Sequence, residues 1–190
     1  AITVYPPVDT ETFHIEPDTK QKDYYLMVGR LLYYKGFDLG ITAFNQLRKP
    51  LKIVGRGPEL EKLKRLAKSP LIEFITSNPN DRELRKIYNE AKALIFPQIE
   101  DFGLVAAEAQ SCGLPVIAFD QGGGREIVKD RKTGLLFKEQ SPEAIIKSVK
   151  DFENLPFSRK SIAKSAERFS KGEFQANFLA AAAQSGIRLD

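Results

Sequence analysis

"ALIFPQIEDFGLVAAEAQSCGLPVIAF", residues 93–119, is the stretch whose reading decides the fold. A short apolar run, Ala93 to Phe96, reads as a buried strand, and Pro115 to Phe119 reads as a second. Between them Gly103 allows a tight turn. From Leu104 to Cys112 the small residues Ala106, Ala107, Ala109 and Ser111 let a helix lie close on a sheet. Strand, loop, helix and strand in this order form a parallel unit, because parallel neighbours need a crossover. The loop carries Glu100, and Glu108 follows about one turn into the helix, so both acids are placed to line one pocket mouth above the strand ends. Buried together they would repel each other unless hydroxyls or cations satisfied them.

The same alternation runs outward in both directions. Tyr24–Val28, Leu51–Val54, Ile72–Ile75 and Gly134–Phe137 read as further strands. Amphipathic segments separate them, with Phe37, Ile41, Phe44 and Leu47 on one apolar face and Leu84, Ile87, Tyr88 and Ala91 on another. The expected fold is α/β: a doubly wound, mainly parallel six-stranded sheet of Rossmann-like type, with ligands beyond the carboxyl ends of the strands. Two segments stand outside the pattern. Ile2–Phe13 is Pro-rich and extended, more a connector than a core element. The helical end offers Phe169, Phe174, Phe178 and the Ala180–Ala183 run after the sheet is complete, and those residues need something to pack on.

Composition narrows the function. The 190 residues are 42% apolar and 28% charged, enough for one well-buried core. The formal charge of +4 carries no block of five like charges, which suits an anionic small ligand better than nucleic acid. Leu60, Leu63, Leu66 and Ala67 turn the charges of "KLKRLAK" into one solvated helix face. A single cysteine, Cys112, expected to be a small buried residue, and a single histidine, His14, expected at the surface, leave no His/Cys cluster for zinc. No leader and no run of 18 apolar residues is seen, so the expectation is a soluble cytoplasmic protein, or a piece of one, without a membrane span.

Four loops follow strands. "VGRLLYYKG", Val28 to Gly36, places Gly29 where a backbone can approach a ligand and adds Arg30 and Lys35 near a helix start, as a phosphate would need. A plain glycine turn with two solvated bases fits it as well. "IVGRGPELEKL" has Gly55 and Gly57 before a helix begun by Pro58, and reads chiefly as a tight turn, with Arg56 a weak phosphate candidate. "TSNPNDREL" leads to an Asp81 N-cap; its backbone could hydrogen-bond a base edge, but a turn and a cap suffice to account for it. The fourth is the loop of Glu100. Gly122, Gly123 and Gly124 form one more strand-to-helix turn that borders the same region.

Taken together, "VGRLLYYKG", "IVGRGPE", "EDFGLVAAEAQSCGLPVIA" and "GGGREIV" followed by "DRKTGLLF" resemble, in order, the donor-domain motifs of retaining GT-B glycosyltransferases, including the Glu, seven residues, Glu motif. "YPPVDTETF", "KALIFPQIEDFG" and "AERFS" are most similar to bacterial and archaeal mannosyltransferases of polysaccharide assembly. The resemblance covers essentially the whole chain. It implies that Arg30 and Lys35, beside Gly29, hold the donor diphosphate and neutralise the leaving phosphate. It implies that Glu100 contacts the hexose or its phosphate and that Phe102, Gly103, Leu104 and Val105 form the turn facing the donor. Glu108 matches the ribose-binding acid, and Asn78 a position whose backbone contacts the base. The loop departs from the family in having Thr76 where a Gly is usual.

The resemblance further implies hexose transfer to a saccharide or lipid-linked acceptor, with GDP-mannose as first donor and UDP-glucose as second. No cofactor and no metal are expected; the nucleotide sugar is a substrate. Residues 1–22 would be an interdomain connector, 23–156 the nucleotide-sugar-binding domain, and 157–190 helices that pack back on an amino-terminal acceptor domain. That missing domain would be the partner, with no nucleic acid, and the full enzyme would be able to sit at the inner face of the membrane. The alternatives are a non-catalytic nucleotide-binding module, or a relative that hydrolyses or epimerises nucleotide sugars.

Overall fold

Six four-residue strands alternate with helices in the computed structural model, which describes residues 3–184. Residues 1–2 and 185–190, the outer ends of the expected connector and of the C-terminal helical segment, lie outside the described residues. The strands are β1 (Tyr25–Val28), β2 (Leu51–Val54), β3 (Ile72–Ile75), β4 (Ala93–Phe96), β5 (Val116–Phe119) and β6 (Gly134–Phe137). Their order in the sheet is β3-β2-β1-β4-β5-β6 and every pairing is parallel, so the mainly parallel sheet expected from sequence is parallel throughout. β1, β4 and β5 are buried along their whole length. A sheet covered on both faces selects uninterrupted apolar runs rather than alternation.

The helices are α1 (Phe37–Leu47), α2 (Leu60–Leu66), α3 (Asp81–Glu90), α4 (Leu104–Ser111), α5 (Gly122–Ile127), α6 (Pro142–Phe152), α7 (Arg159–Ala166) and α8 (Lys171–Gln184). One apolar layer gathers Leu26, Leu94, Val116 and Ala118 with Tyr88 and the small residues of α4. The opposite layer gathers Tyr25, Met27, Ile53, Ile95 and Ile117 with Phe37, Ile41 and Phe44 of α1 and Ile145 and Val149 of α6. Successive residues of each strand thus serve opposite layers, the period of two built into an extended chain.

Three local expectations change. Asn80, not Asp81, caps α3: its side chain accepts from the Glu83 N–H while Glu83 accepts from the Asn80 N–H, a capping box. Asp81 therefore becomes the first helical residue. Regular α2 begins at Leu60, two residues after Pro58. The extended segment before β1 also contributes to the core, since Val8 and Phe13 are buried and the Phe13 ring meets Tyr88 edge-on at 5.9 Å. Both join the apolar layer that holds Tyr88 and the small residues of α4. Phe169 is buried in the same layer, whereas Phe178 and Leu179 of α8 are exposed.

β1 and β4 pair only through Tyr25 with Ala93 and Leu26 with Leu94, while β1 and β2 pair over four positions. The two central strands therefore part towards their carboxyl ends. This is where the strand order reverses, the topological switch point at which open α/β sheets bind ligands.

Candidate functional site

Two cavities open above that parting. The larger, about 520 Å³, is lined by Val28, Gly29, Arg30, Tyr34 and Lys35 from the loop after β1, by Gln98 to Val105 from the loop after β4, and by Pro6. The second, about 400 Å³, shares Val28, Gly29 and Arg30 and adds Val54, Gly55, Arg56, Asn78, Pro79 and Leu84. Gly29 and Arg30 are thus common to both. An elongated ligand crossing from one cavity to the other would pass over them.

The loop after β1 owes its shape to close backbone packing. Gly29 N–H donates to the Val54 carbonyl at 3.0 Å, and Leu31 N–H to the Arg56 carbonyl at 2.8 Å. A Cβ on Gly55 would stand 1.9 Å from the Gly29 carbonyl oxygen. Gly55 is therefore what lets the second loop lie against the first, as the tight-turn reading expects. Arg30 is exposed, and its guanidinium pairs with no carboxylate among the described residues. Lys35 ends a 3-10 turn, Tyr33–Lys35, and burial holds its ammonium below the usual lysine range.

The loop after β4 brings the opposite charge. Lys35 forms an ion pair with Glu100. Gln98, only 2% exposed, donates from Nε2 to the same Glu100 Oε1 at 3.1 Å. Gly103 caps the start of α4, and the first-turn N–H groups of Leu104 and Val105 have no acceptor among the described residues. Unpaired donors at a helix start attract anions. Cation, acid and helix dipole therefore converge on one cavity, a combination suited to a ligand with both phosphate oxygens and hydroxyl groups.

Gly122 to Gly124 act one step behind this wall. Gly123 N–H donates to the Glu100 carbonyl at 2.7 Å, and a Cβ on Gly123 would fall 1.5 Å from the Phe102 carbonyl oxygen. The glycine turn clasps the backbone of the acid-bearing loop rather than lining the cavity. Gln140 adds a side-chain bond to the Pro97 carbonyl at 2.8 Å.

Glu108 does not line either cavity, contrary to the expectation that both acids share one mouth. One turn into α4 its side chain is directed towards α3, where the Tyr88 hydroxyl donates to Oε2 at 3.1 Å. Burial pushes its carboxyl up to about 7 against the lowering effect of the Tyr88 bond, with Asp81 raising it further. The two acids escape mutual repulsion through separate partners, Lys35 for one and Tyr88 for the other.

Of the sequence-derived site residues, Gly29, Arg30, Lys35, Glu100, Phe102, Gly103, Leu104 and Val105 meet in the larger cavity. Asn78, in the left-handed region at φ 57°, lines the second. Sequence reading missed Gln98 and Tyr34 as lining residues and Tyr88 as the partner of Glu108. Cys112 is buried with its thiol pushed up to about 12 by that burial, and His14 is exposed, as expected. Among the described residues no three His, Cys, Asp or Glu side chains gather as metal ligands, and no helix is long and apolar enough to cross a membrane.

The chain is 31% identical over 175 residues to an uncharacterised glycosyltransferase of Methanocaldococcus jannaschii, covering 90% of this chain and 49% of that protein. It is 32% identical over 173 residues to a GDP-mannose-dependent alpha-(1-6)-phosphatidylinositol monomannoside mannosyltransferase of Mycolicibacterium smegmatis, covering 77% and 45%. The chain thus spans about half the length of the curated relatives it matches. Sucrose-phosphate synthase from Thermosynechococcus elongatus superposes with a TM-score of 0.82 at 22% identity, over 95% of this chain and 51% of that one. Anabaena HepE, solved in complex with UDP and glucose, gives 0.75 at 20% identity, over 97% and 56%. At such identities these two structures speak for the fold. The family model for glycosyl transferases group 1 matches residues 9–169, and the chain belongs to that glycosyltransferase family, as a Rossmann-like domain of GT-B type.

Proposed function

We propose that this chain is the donor-binding half of a retaining hexosyltransferase, with GDP-mannose as first donor and UDP-glucose as second. The observation that carries the reading is the convergence of Arg30, Lys35, Glu100 and the start of α4 on one cavity that shares Gly29 and Arg30 with a second. In this reading the diphosphate lies over Gly29 between Arg30 and Lys35. The hexose enters the larger cavity, where Glu100 accepts from its hydroxyls and the Leu104 and Val105 amides donate to phosphate. The nucleoside extends towards Asn78, whose backbone meets the base, and in this reading Glu108 reaches the ribose hydroxyls by turning from its bond to Tyr88. The identity of the Mycolicibacterium relative as a GDP-mannose-dependent enzyme supports mannose as the first choice.

Catalysis by this half is electrostatic. Negative charge grows on the leaving diphosphate as the glycosidic bond breaks, and Arg30 and Lys35 are placed to stabilise it. The acceptor, a saccharide or a lipid-linked one, attacks the face from which phosphate departs, and the phosphate takes its proton. No metal is required in this scheme. The acceptor site belongs to an amino-terminal domain reached through the connector of residues 1–22, with 23–156 as the donor domain and 157–190 returning to the partner domain. The chain alone binds donor without turnover, in the cytoplasm or at the inner face of the membrane.

Titration calorimetry of the chain with GDP-mannose, UDP-glucose, GDP and UDP tests the reading. One base series binds saturably, and Arg30→Ala weakens it at least about tenfold, the worth of one charge-assisted hydrogen bond. Binding to none of the four, or binding indifferent to Arg30, refutes it.

A further inference from the structure

Phe102 lines the larger cavity two residues after Glu100, yet its ring is gripped from behind by two segments far away in sequence. It packs on Tyr5 with centroids 5.6 Å apart and edge-on to Phe169 at 5.2 Å. Tyr5 and Phe169 in turn meet at 5.4 Å and 90°. Tyr5 comes from the extended amino-terminal segment, and Phe169 ends the 3-10 turn Glu167–Phe169 that follows α7. These two segments are tied to each other. Val8 N–H donates to the Phe169 carbonyl at 2.7 Å, Val8 bridges Ser170 in parallel, and Asp9 pairs with Lys171 at 3.2 Å.

The same pair of segments reaches the far end of α5. Arg168 donates to the Glu126 and Ile127 carbonyls at 2.8 and 3.1 Å while lying 4.4 Å from the centre of the Phe169 ring. The other end of α5 supplies Gly123, which holds the Glu100 carbonyl. Two independent struts, one aromatic and one through α5, therefore run from the tied terminal segments to the loop that carries Glu100.

We propose that Tyr5 and Phe169 are positioning residues for the donor site: by clamping Phe102 they fix Glu100 and the start of α4. This rests on the reading of the larger cavity as the place of the distal phosphate and hexose. A displacement of the terminal segments is then felt as a change in affinity for that part of the ligand, while the nucleoside side of the site is unaffected.

The test uses the 190-residue chain and its variants Tyr5→Leu, Phe169→Leu and Phe157→Leu. Phe157 stacks on Phe152 and lines neither cavity, so its loss controls for simple destabilisation. Amide hydrogen exchange at Gly123, whose N–H holds Glu100, rises in the first two variants and not in the third. The preference for GDP over GMP, or for UDP over UMP, falls about three- to tenfold in the same two variants, the range set by one aromatic pair. Tyr5, only half-buried, keeps the test valid if Phe169→Leu does not fold. Unchanged exchange at Gly123, or an equal rise in Phe157→Leu, overturns the proposal. Exchange that responds as expected in a chain that binds no nucleotide leaves the clamp standing and refutes the donor-site reading instead.

Discussion

Replacing Glu108 by Gln removes a charge that the fold tolerates poorly while keeping an oxygen to accept from Tyr88. The folded carboxyl titrates at about 7 against an ordinary 4.5, chiefly through burial. Because the folded value is the higher one, the native state binds the extra proton between those limits, and stability falls as pH rises through that window. At about 1.4 kcal/mol per tenfold the difference would reach about 3 kcal/mol above pH 7. Solvent reaching this incompletely buried side chain lowers the expected figure to about 1–2 kcal/mol. Glu108→Gln should then melt about 2–8 °C above the parent at pH 8, the shift usual for a chain of this size. Near pH 5 the advantage should vanish. Thermal melts followed by circular dichroism at both pH values make the comparison. A variant less stable at pH 8, or equally more stable at both, would show that Glu108 is not held at a cost in charge.

Gly123→Ala places a methyl group onto the Phe102 carbonyl and should cost about 1–3 kcal/mol in denaturant unfolding, with weakened GDP binding by calorimetry. Retained affinity in a destabilised variant would dissociate the glycine turn from the site. Tyr88→Phe deprives the Glu108 carboxylate of its donor, so its titration should move further up and the stability loss, about 1–2 kcal/mol, should be larger at pH 8 than at pH 5. Cys112, buried with its thiol pushed up to about 12, should resist iodoacetamide at pH 8 in the native chain and react readily in urea.

The sheet was legible because a strand covered on both faces needs a nearly continuous apolar run; β1, β4, β5 and β6 are uninterrupted, β2 and β3 carry one charge each at Lys52 and Glu73, and helical periodicity separates all six. The loops around Arg30, Lys35 and Glu100 were legible for a related reason, since a doubly wound sheet brings strand ends to one side. What escaped involves side chains whose partners lie far away in sequence. Tyr88 reads as one apolar position of an amphipathic helix, and nothing local says that its hydroxyl finds Glu108. Gln98 looks like an ordinary loop residue, although it is buried against Glu100. The cap at Asn80 was present as Asn followed three residues later by Glu, but the neighbouring Asp81 offered the same chemistry one position on. Direction was the hardest property: helical spacing places Glu108 one turn along α4 without saying that it faces α3 rather than the cavity.

The parting of β1 from β4 divides the domain into two consecutive stretches of chain, and each contributes one wall of the cleft. The basic wall belongs to the stretch that builds β1 to β3, and the acid-bearing wall to the stretch that builds β4 to β6. A molecule bound across the seam acts as a non-covalent staple between two walls whose central strands share only two paired positions. Its binding energy adds to the stability of the folded state, because only the joined walls present the complete site. Ligand occupancy and the closure of the sheet at the join with the fewest paired positions are, in this architecture, thermodynamically linked.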